Sequence, residues 1–341
     1  MRRKINLILS LLLIVIAFTL VIVLVSPQDF LVGTTPPPLQ KDFFRSEHYR
    51  QHVSMISNCQ VFPANNIWNY GISHLPVLAN SANYIANIGM NNSLSADFGN
   101  GTWGLPYNIV SGTQSYVPIH FNLYGSESDP GPYPIPLDAV IQHGRDHHVL
   151  VVNSSMCKLY ELWEGSHKSD GSWNAGSGAI FDLNSNALRP NSWGSADAAG
   201  LPIFPGLVRY DQVAAGAIDH ALRVVLNHPQ HTYLWPARHS DGPSYDPDAA
   251  PEGLRLRLKA SVDISSFSPH DQVILRALKQ FGMFVADTDT SSNGLQISGA
   301  PDDRWDEEDL ANLSKIHASD FEAVDESALQ VAPGSAQVAT I

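Results

Sequence analysis

The segment Leu254-Arg-Leu-Arg-Leu-Lys-Ala-Ser-Val-Asp263 alternates apolar and polar residues without a break. Successive side chains of a strand point to opposite faces, so this period of two fits a half-buried strand and no helix. It predicts Leu254, Leu256, Leu258, Ala260 and Val262 inside, with Arg255, Arg257, Lys259, Ser261 and Asp263 in solvent. In a chain of net charge −13, such a basic stripe could also line a groove for an acidic polymer. Further runs at 117–124, 148–153, 158–164, 178–183, 220–226, 231–235 and 283–286 read as strands, the second and third forming a hairpin. The 24 glycines and 23 prolines make up about one residue in seven, so turns are frequent and helices short. Three helices are signalled. Ser268 caps one that runs to Gly282 with Pro269 in its first turn; residues 306–316 and 81–88 form the others. The expectation is a mainly β single domain over 58–325, a jelly-roll-like β-sandwich with a few short packing helices. A 44% apolar, 16% charged composition excludes a disordered or coiled-coil chain.

The N-terminus sets the compartment. Arg2, Arg3 and Lys4 precede an apolar run over residues 5–25, broken only by Asn6, Ser10 and Thr19. That is long enough to cross a bilayer, and no small-x-small processing site follows it. The run is expected to be a single-pass anchor with the body on the extracytoplasmic side; the alternative is a cleaved signal segment, which leaves the body secreted. Residues 26–57, containing Thr34-Thr35-Pro36-Pro37-Pro38, read as a stalk. Residues 326–341, rich in Ser, Ala, Gly and Gln, read as a flexible tail. Outside the cytoplasm, Cys59 and Cys157 can close a disulfide, or remain two buried thiols.

Several functions are excluded or set aside. The acidic balance argues against nucleic acid, which needs clustered Lys and Arg. Gly99-Asn-Gly-Thr-Trp-Gly104 has the glycine spacing of a dinucleotide loop but no strand before it and no helix after. Asp287-Thr-Asp289 opens like a calcium loop, yet Ser292 and Ser298 stand where Gly and Glu are required. His148, His220 and His239 are of a metal-binding type, but no His-x-His or similar spacing supports ligation, so no metal ligand and no cofactor is assigned.

What remains is a set of ionisable and aromatic residues on strands. In 158–164, Leu159, Glu161 and Trp163 share one face, with Arg145-Asp-His147-His148 opening the partner strand. A carboxyl beside an indole and an imidazole suits sugar chemistry, because an apolar pocket raises the acid's pKa while the ring stacks on the sugar. The alternative is a surface salt-bridged hairpin. A second group comprises His220, Arg223, Trp235, Arg238 and His239.

Long motifs in order give the chain a further likeness. They include Cys59-Gln-Val-Phe-Pro-Ala-Asn-Asn, Ser195-Ala-Asp-Ala-Ala-Gly-Leu-Pro-Ile-Phe-Pro-Gly-Leu-Val-Arg-Tyr-Asp211, His220-Ala-Leu-Arg223, Trp235-Pro-Ala-Arg-His239 and Phe281-Gly-Met-Phe-Val-Ala-Asp287. From about Cys59 to Asp325 the sequence resembles a family of secreted bacterial proteins for which no activity is established. The resemblance implies a single domain and the pairing of Cys59 with Cys157. Members of that family read Ala-Asp-Asn-Gly where this chain has Ala286-Asp287-Thr288-Asp289.

The functional expectation is a polysaccharide-active protein, a glycoside hydrolase or lyase. Glu161 is the expected general acid or nucleophile, Asp197 or Asp211 the second carboxylate, and His220 an auxiliary acid/base. His148, Trp163, Arg209, Trp235, Arg238, His239 and Asp287 are expected to bind substrate. The alternative is a non-catalytic module that binds glycan or protein through the same aromatics.

Overall fold

The computed structural model describes residues 54–99, 101–291 and 294–339. The expected anchor at 5–25 and most of the expected stalk lie outside them. Among the described residues no helix is long and apolar enough to cross a membrane.

Two sheets carry the architecture. A six-stranded sheet has the order Phe321–Ala323, Arg255–Leu258, Met283–Thr288, Leu222–Leu226, Leu295–Ser298, Leu94–Asp97. A four-stranded sheet has the order Ser177–Asp182, Lys158–Trp163, Val149–Asn153, Tyr107–Val110. The β-rich, helix-poor character is as the sequence predicts. The pairing is not that of a jelly roll, which is antiparallel throughout. Leu222–Leu226 runs parallel to Met283–Thr288, Leu295–Ser298 to Leu94–Asp97, and Tyr107–Val110 to Val149–Asn153.

The sheets stack in layers, each strand alternating its side chains between two cores. On one side of the six-stranded sheet, Leu222, Val224, Leu256, Met283 and Val285 meet helices α1 (Ser81–Ile88), α2 (Tyr210–Ala215), α3 (Pro269–Gln280) and α4 (Glu307–Asn312). On the other side, Phe284 and Ala286 meet Leu150, Val152, Leu159 and Phe181 of the four-stranded sheet. The far face of that sheet, with Val149, Val151, Tyr160 and Leu162, is covered by the small Ile119–Phe121, Trp173–Ala175 and Ser166–His167 sheet.

Local signals hold where local chemistry decides. The Ser268 hydroxyl accepts from Asp271 N at 3.1 Å, Pro269 opens α3, and Gly282 follows its end at φ +66°. The Cys59–Cys157 disulfide is formed, with Cα atoms 5.3 Å apart, and clips the first described turn to the hairpin.

Two expectations fail for one reason, namely that both sheet faces are covered. Arg255 and Arg257 alternate as predicted but end up buried, 1% and 8% exposed. Arg255 donates to Phe281 O, Ile67 O, Tyr70 O and Glu326 Oε1, and its guanidinium lies 4.3 Å from the Phe284 ring centre. Arg257 donates to Ile72 O, Leu75 O and Glu322 Oε1. The pair clamps residues 67–75 across the sheet. The segment after 325 is likewise no loose tail. Leu329, Ala336 and Val338 are buried in the inter-sheet core, and Ala336 O accepts from Ile67 N while Val338 N donates to Asn65 O. Apolar residues at wide spacing suffice there because a neighbouring backbone supplies the hydrogen bonds.

Candidate functional site

Arg223 sits in an otherwise apolar strand and points into the inter-sheet layer. Its Nη2 donates to Asp197 Oδ2 at 2.5 Å and to Asp287 Oδ2 at 3.1 Å, and its Nη1 to Ser298 Oγ at 2.8 Å. Asp287 reaches it through a β-bulge. The pairing of Leu222–Leu226 with Met283–Thr288 shifts between Val224 and Val225, leaving Ala286 as an extra residue. A bulge re-aims the side chains around it, and Asp287 follows Ala286 toward Arg223. Burial works against the Arg223 charge, but Asp197 and Asp287 outweigh it and hold its pKa above the ordinary guanidinium value. Burial pushes Asp197 up, with Arg223 opposing. Asp287, whose side chain is 25% exposed, is pushed up to about 6 by burial, against Arg223.

The exposed edge of this centre is a carboxyl pair. The Thr288 hydroxyl donates to Asp241 Oδ1 at 2.6 Å and lies 3.5 Å from Glu252 Oε1. Glu252 is fully buried, and its Oε2 meets no N–H or hydroxyl donor. Burial raises its pKa well above the carboxylate range, and Asp241, within hydrogen-bonding reach, raises it further. Desolvation without a donor disfavours the charged carboxylate there. Asp241 is exposed to solvent.

The residues expected from the sequence divide among several places. Glu161 is fully buried. Its oxygens accept from Ile203 N at 3.0 Å and from Phe204 N at 2.9 Å, which ties the strand to a helical turn at Phe204–Gly206. Burial lifts it to about 7, against those amides and Arg223. Glu161 faces the layer between two sheets, so no substrate reaches it, and the assignment as general acid or nucleophile is corrected to a positioning role. His148 is buried nearby, bonded to Gln142 Oε1 and Ala196 O, and burial lowers it to about 4. Asp197 is buried with Arg223, so it too touches no substrate.

His220 belongs to a separate centre. Its Nδ1 lies 2.9 Å from Ala221 O and its Nε2 3.1 Å from Gln212 Oε1, and burial lowers it to about 3. A ring so enclosed is not an acid/base partner. Arg209, also buried, donates to Ser54 Oγ at 2.9 Å and stacks 5.0 Å over Phe204, while Asp211 stands exposed 3.8 Å from its Nε. Arg209 therefore packs the interior and does not hold substrate. Arg238 bonds Arg189 O and Pro333 O, and the Trp235 indole donates to Ser335 O. Both tie down the C-terminal segment. Trp163 packs partly against the inter-sheet core, 6.0 Å from the Tyr124 ring. His239 Nδ1 lies 2.8 Å from Ala198 O, beside Asp197.

The structure thus gathers His148, Glu161, Asp197 and Asp287 around Arg223 and leaves Asp211 and His220 apart. Sequence reasoning missed Asp241, Glu252 and the central role of Arg223. A lone arginine inside Leu222-Arg-Val-Val-Leu226 was the available signal, since a charge within a buried strand requires partners. Among the described residues no group of three or more His, Cys, Asp or Glu is arranged to hold a metal ion. No family model, no curated protein and no solved structure matches the chain.

Proposed function

We propose that this is an extracytoplasmic polysaccharide-active protein, held to the membrane by residues 5–25, that hydrolyses glycosidic bonds at Asp241 and Asp287. The observation that supports it is the exposed Asp241 beside the fully buried Glu252, both within reach of the Thr288 hydroxyl. Glycoside hydrolysis uses two carboxyl groups in different surroundings, and this site offers the exposed Asp241 and the partly exposed Asp287. Asp241 donates the proton to the departing glycosidic oxygen as the C–O bond breaks, and Glu252 replenishes it. Asp287 takes a proton from the water whose oxygen bonds the anomeric carbon, and Arg223 and Asp197 fix its position. The test is reducing-end release from a broad glycan panel. Asp241→Asn and Asp287→Asn should each lower release by at least ~10²-fold, the scale of general acid–base catalysis, with folding retained. Absence of release by the wild type across the panel would refute hydrolysis.

A non-catalytic glycan-binding module is the second reading. It is favoured by Tyr245, 82% exposed, whose ring lies 4.9 Å from that of His231 on the loop that carries Asp241. Glycan binding without product, lost in Tyr245→Ala and kept in Asp241→Asn, would select it.

A further inference from the structure

The alternating segment does send one cation to the surface, and it enters a cleft. Lys259 follows the strand Arg255–Leu258 and, with Lys315, Asp263 and Asp320, lines an open cleft of about 520 Å³. That volume is in the range of ligand sites. Phe267 and Val262 contribute apolar surface, and Ser261, Ser266 and Ser319 line the cleft as well. Lys279 stands next to it, donating to Ala260 O and Val262 O. The chain has only seven lysines in 341 residues, and three of the five among the described residues meet at this place.

These ammonium groups make no close ion pair, Lys279 acting on Asp263 and Lys315 on Asp271 only at longer range. Among the described residues none of the three lies within 4 Å of a carboxylate. Lys259 Nζ donates to a carbonyl, Ser319 O, at 2.7 Å. The two carboxylates are engaged by backbone instead, Asp263 Oδ1 by Ser265 N and Asp320 Oδ2 by His317 N, both at 2.9 Å. Each keeps a second oxygen that can accept.

The lining selects by chemistry. A bare phosphate would meet Asp263 and Asp320 as well as the lysines. A neutral sugar would leave the ammonium groups unanswered, and a cation would be repelled by them. A sugar acid offers a carboxylate to lysine, hydroxyl donors to aspartate and a C–H face to Phe267 and Val262. We propose that this cleft is a binding subsite for the uronate residues of an acidic polysaccharide. The proposal rests on the polysaccharide-active reading and names its substrate class. The cleft lies toward the Leu258 end of its strand, whereas the Arg255 end pairs with Phe284, three residues before Asp287. It would anchor the polymer away from the bond that is cut.

The test is calorimetric binding of oligo-galacturonate, oligo-mannuronate and oligo-glucuronate to the full chain, against their carboxyl-reduced counterparts and inorganic phosphate. The expected result is binding of at least one uronate, at least tenfold weaker for its reduced form. Lys315→Gln, whose ammonium donates no hydrogen bond among the described residues, should weaken it several-fold, and Lys259→Gln with Lys315→Gln by ten- to a hundredfold. Equal binding of reduced and acidic forms, no binding of any uronate, no effect of Lys315→Gln, or displacement by equimolar phosphate would each overturn it. Reducing-end release from neutral glycans, lost in Asp241→Asn, alongside any of these outcomes would leave hydrolysis standing and remove only the subsite.

Discussion

Glu161→Gln separates a structural carboxyl from a catalytic one through pH. In the wild type, burial raises Glu161 from 4.5 to about 7. A carboxyl whose folded pKa exceeds its unfolded value stabilises fully below about pH 4.5, and that contribution is lost as pH rises through about 7. At ~1.4 kcal/mol per pH unit, this gap corresponds to about 3 kcal/mol. Gln carries no proton equilibrium in this window and keeps one oxygen to accept from Ile203 N and Phe204 N. Near pH 4.5 the variant should lie within roughly 1 kcal/mol of the wild type, the net worth of one neutral hydrogen bond. Between pH 4.5 and 7.5 the difference should swing by about 3 kcal/mol in the variant's favour, or roughly 5–10 °C in melting temperature for a domain of this size. Urea unfolding of both proteins at half-unit pH steps measures this directly, with reducing-end release followed on the same samples. A stability difference that does not change with pH would refute the buried-carboxyl argument. Selective loss of turnover in a stable variant would refute the positioning role.

Three further outcomes follow from the same structure. Cys59→Ser opens a loop of 98 residues and should lower stability by up to ~5 kcal/mol on the loop-entropy estimate, read by urea midpoint; an unchanged midpoint would contradict it. Arg223→Met leaves Asp197 fully buried without its cation and should cost about 3–5 kcal/mol. Arg223→Met together with Asp197→Leu should recover part of that loss; no recovery would argue against the ion pair as the cause. Deletion of residues 326–341 exposes the sites of Leu329 and Val338 and removes Glu326 from Arg255. It should cost upwards of ~5 kcal/mol, whereas a truncated chain of full stability would restore the loose-tail expectation.

What was legible in the sequence was what neighbours in sequence decide. Ser268, Pro269 and Gly282 bracket α3, and the hairpin of Val149–Asn153 with Lys158–Trp163 forms in the expected pairing. The face shared by Leu159, Glu161 and Trp163 was also correct, but the sequence could not tell that a second sheet lies over it. For the same reason Arg255 and Arg257 read as outward-facing in the sequence. Alternation reports which side a residue faces, and a polar residue marks the solvent side only if that side is uncovered. The parallel pairs were invisible for a related reason, because they join strands far apart in the chain, such as Leu94–Asp97 and Leu295–Ser298. Asp241 and Glu252 lie in turn-rich stretches without periodicity, and only the folded chain brings both to Thr288.

The backbone bonds that join residues 334–338 to residues 65–67 and 186–188 bear on how the molecule is made. Synthesis delivers the segment around Val338 after everything it closes over. Until then Ile67, Leu188 and the Trp235 indole lack their cover, so the interior between the sheets stays open to proteases and to other chains. A product that stops short near residue 325 would carry every residue of the Arg223 centre yet remain unsealed. The layer between the sheets is therefore sealed only once the segment around Val338 has been added to the chain.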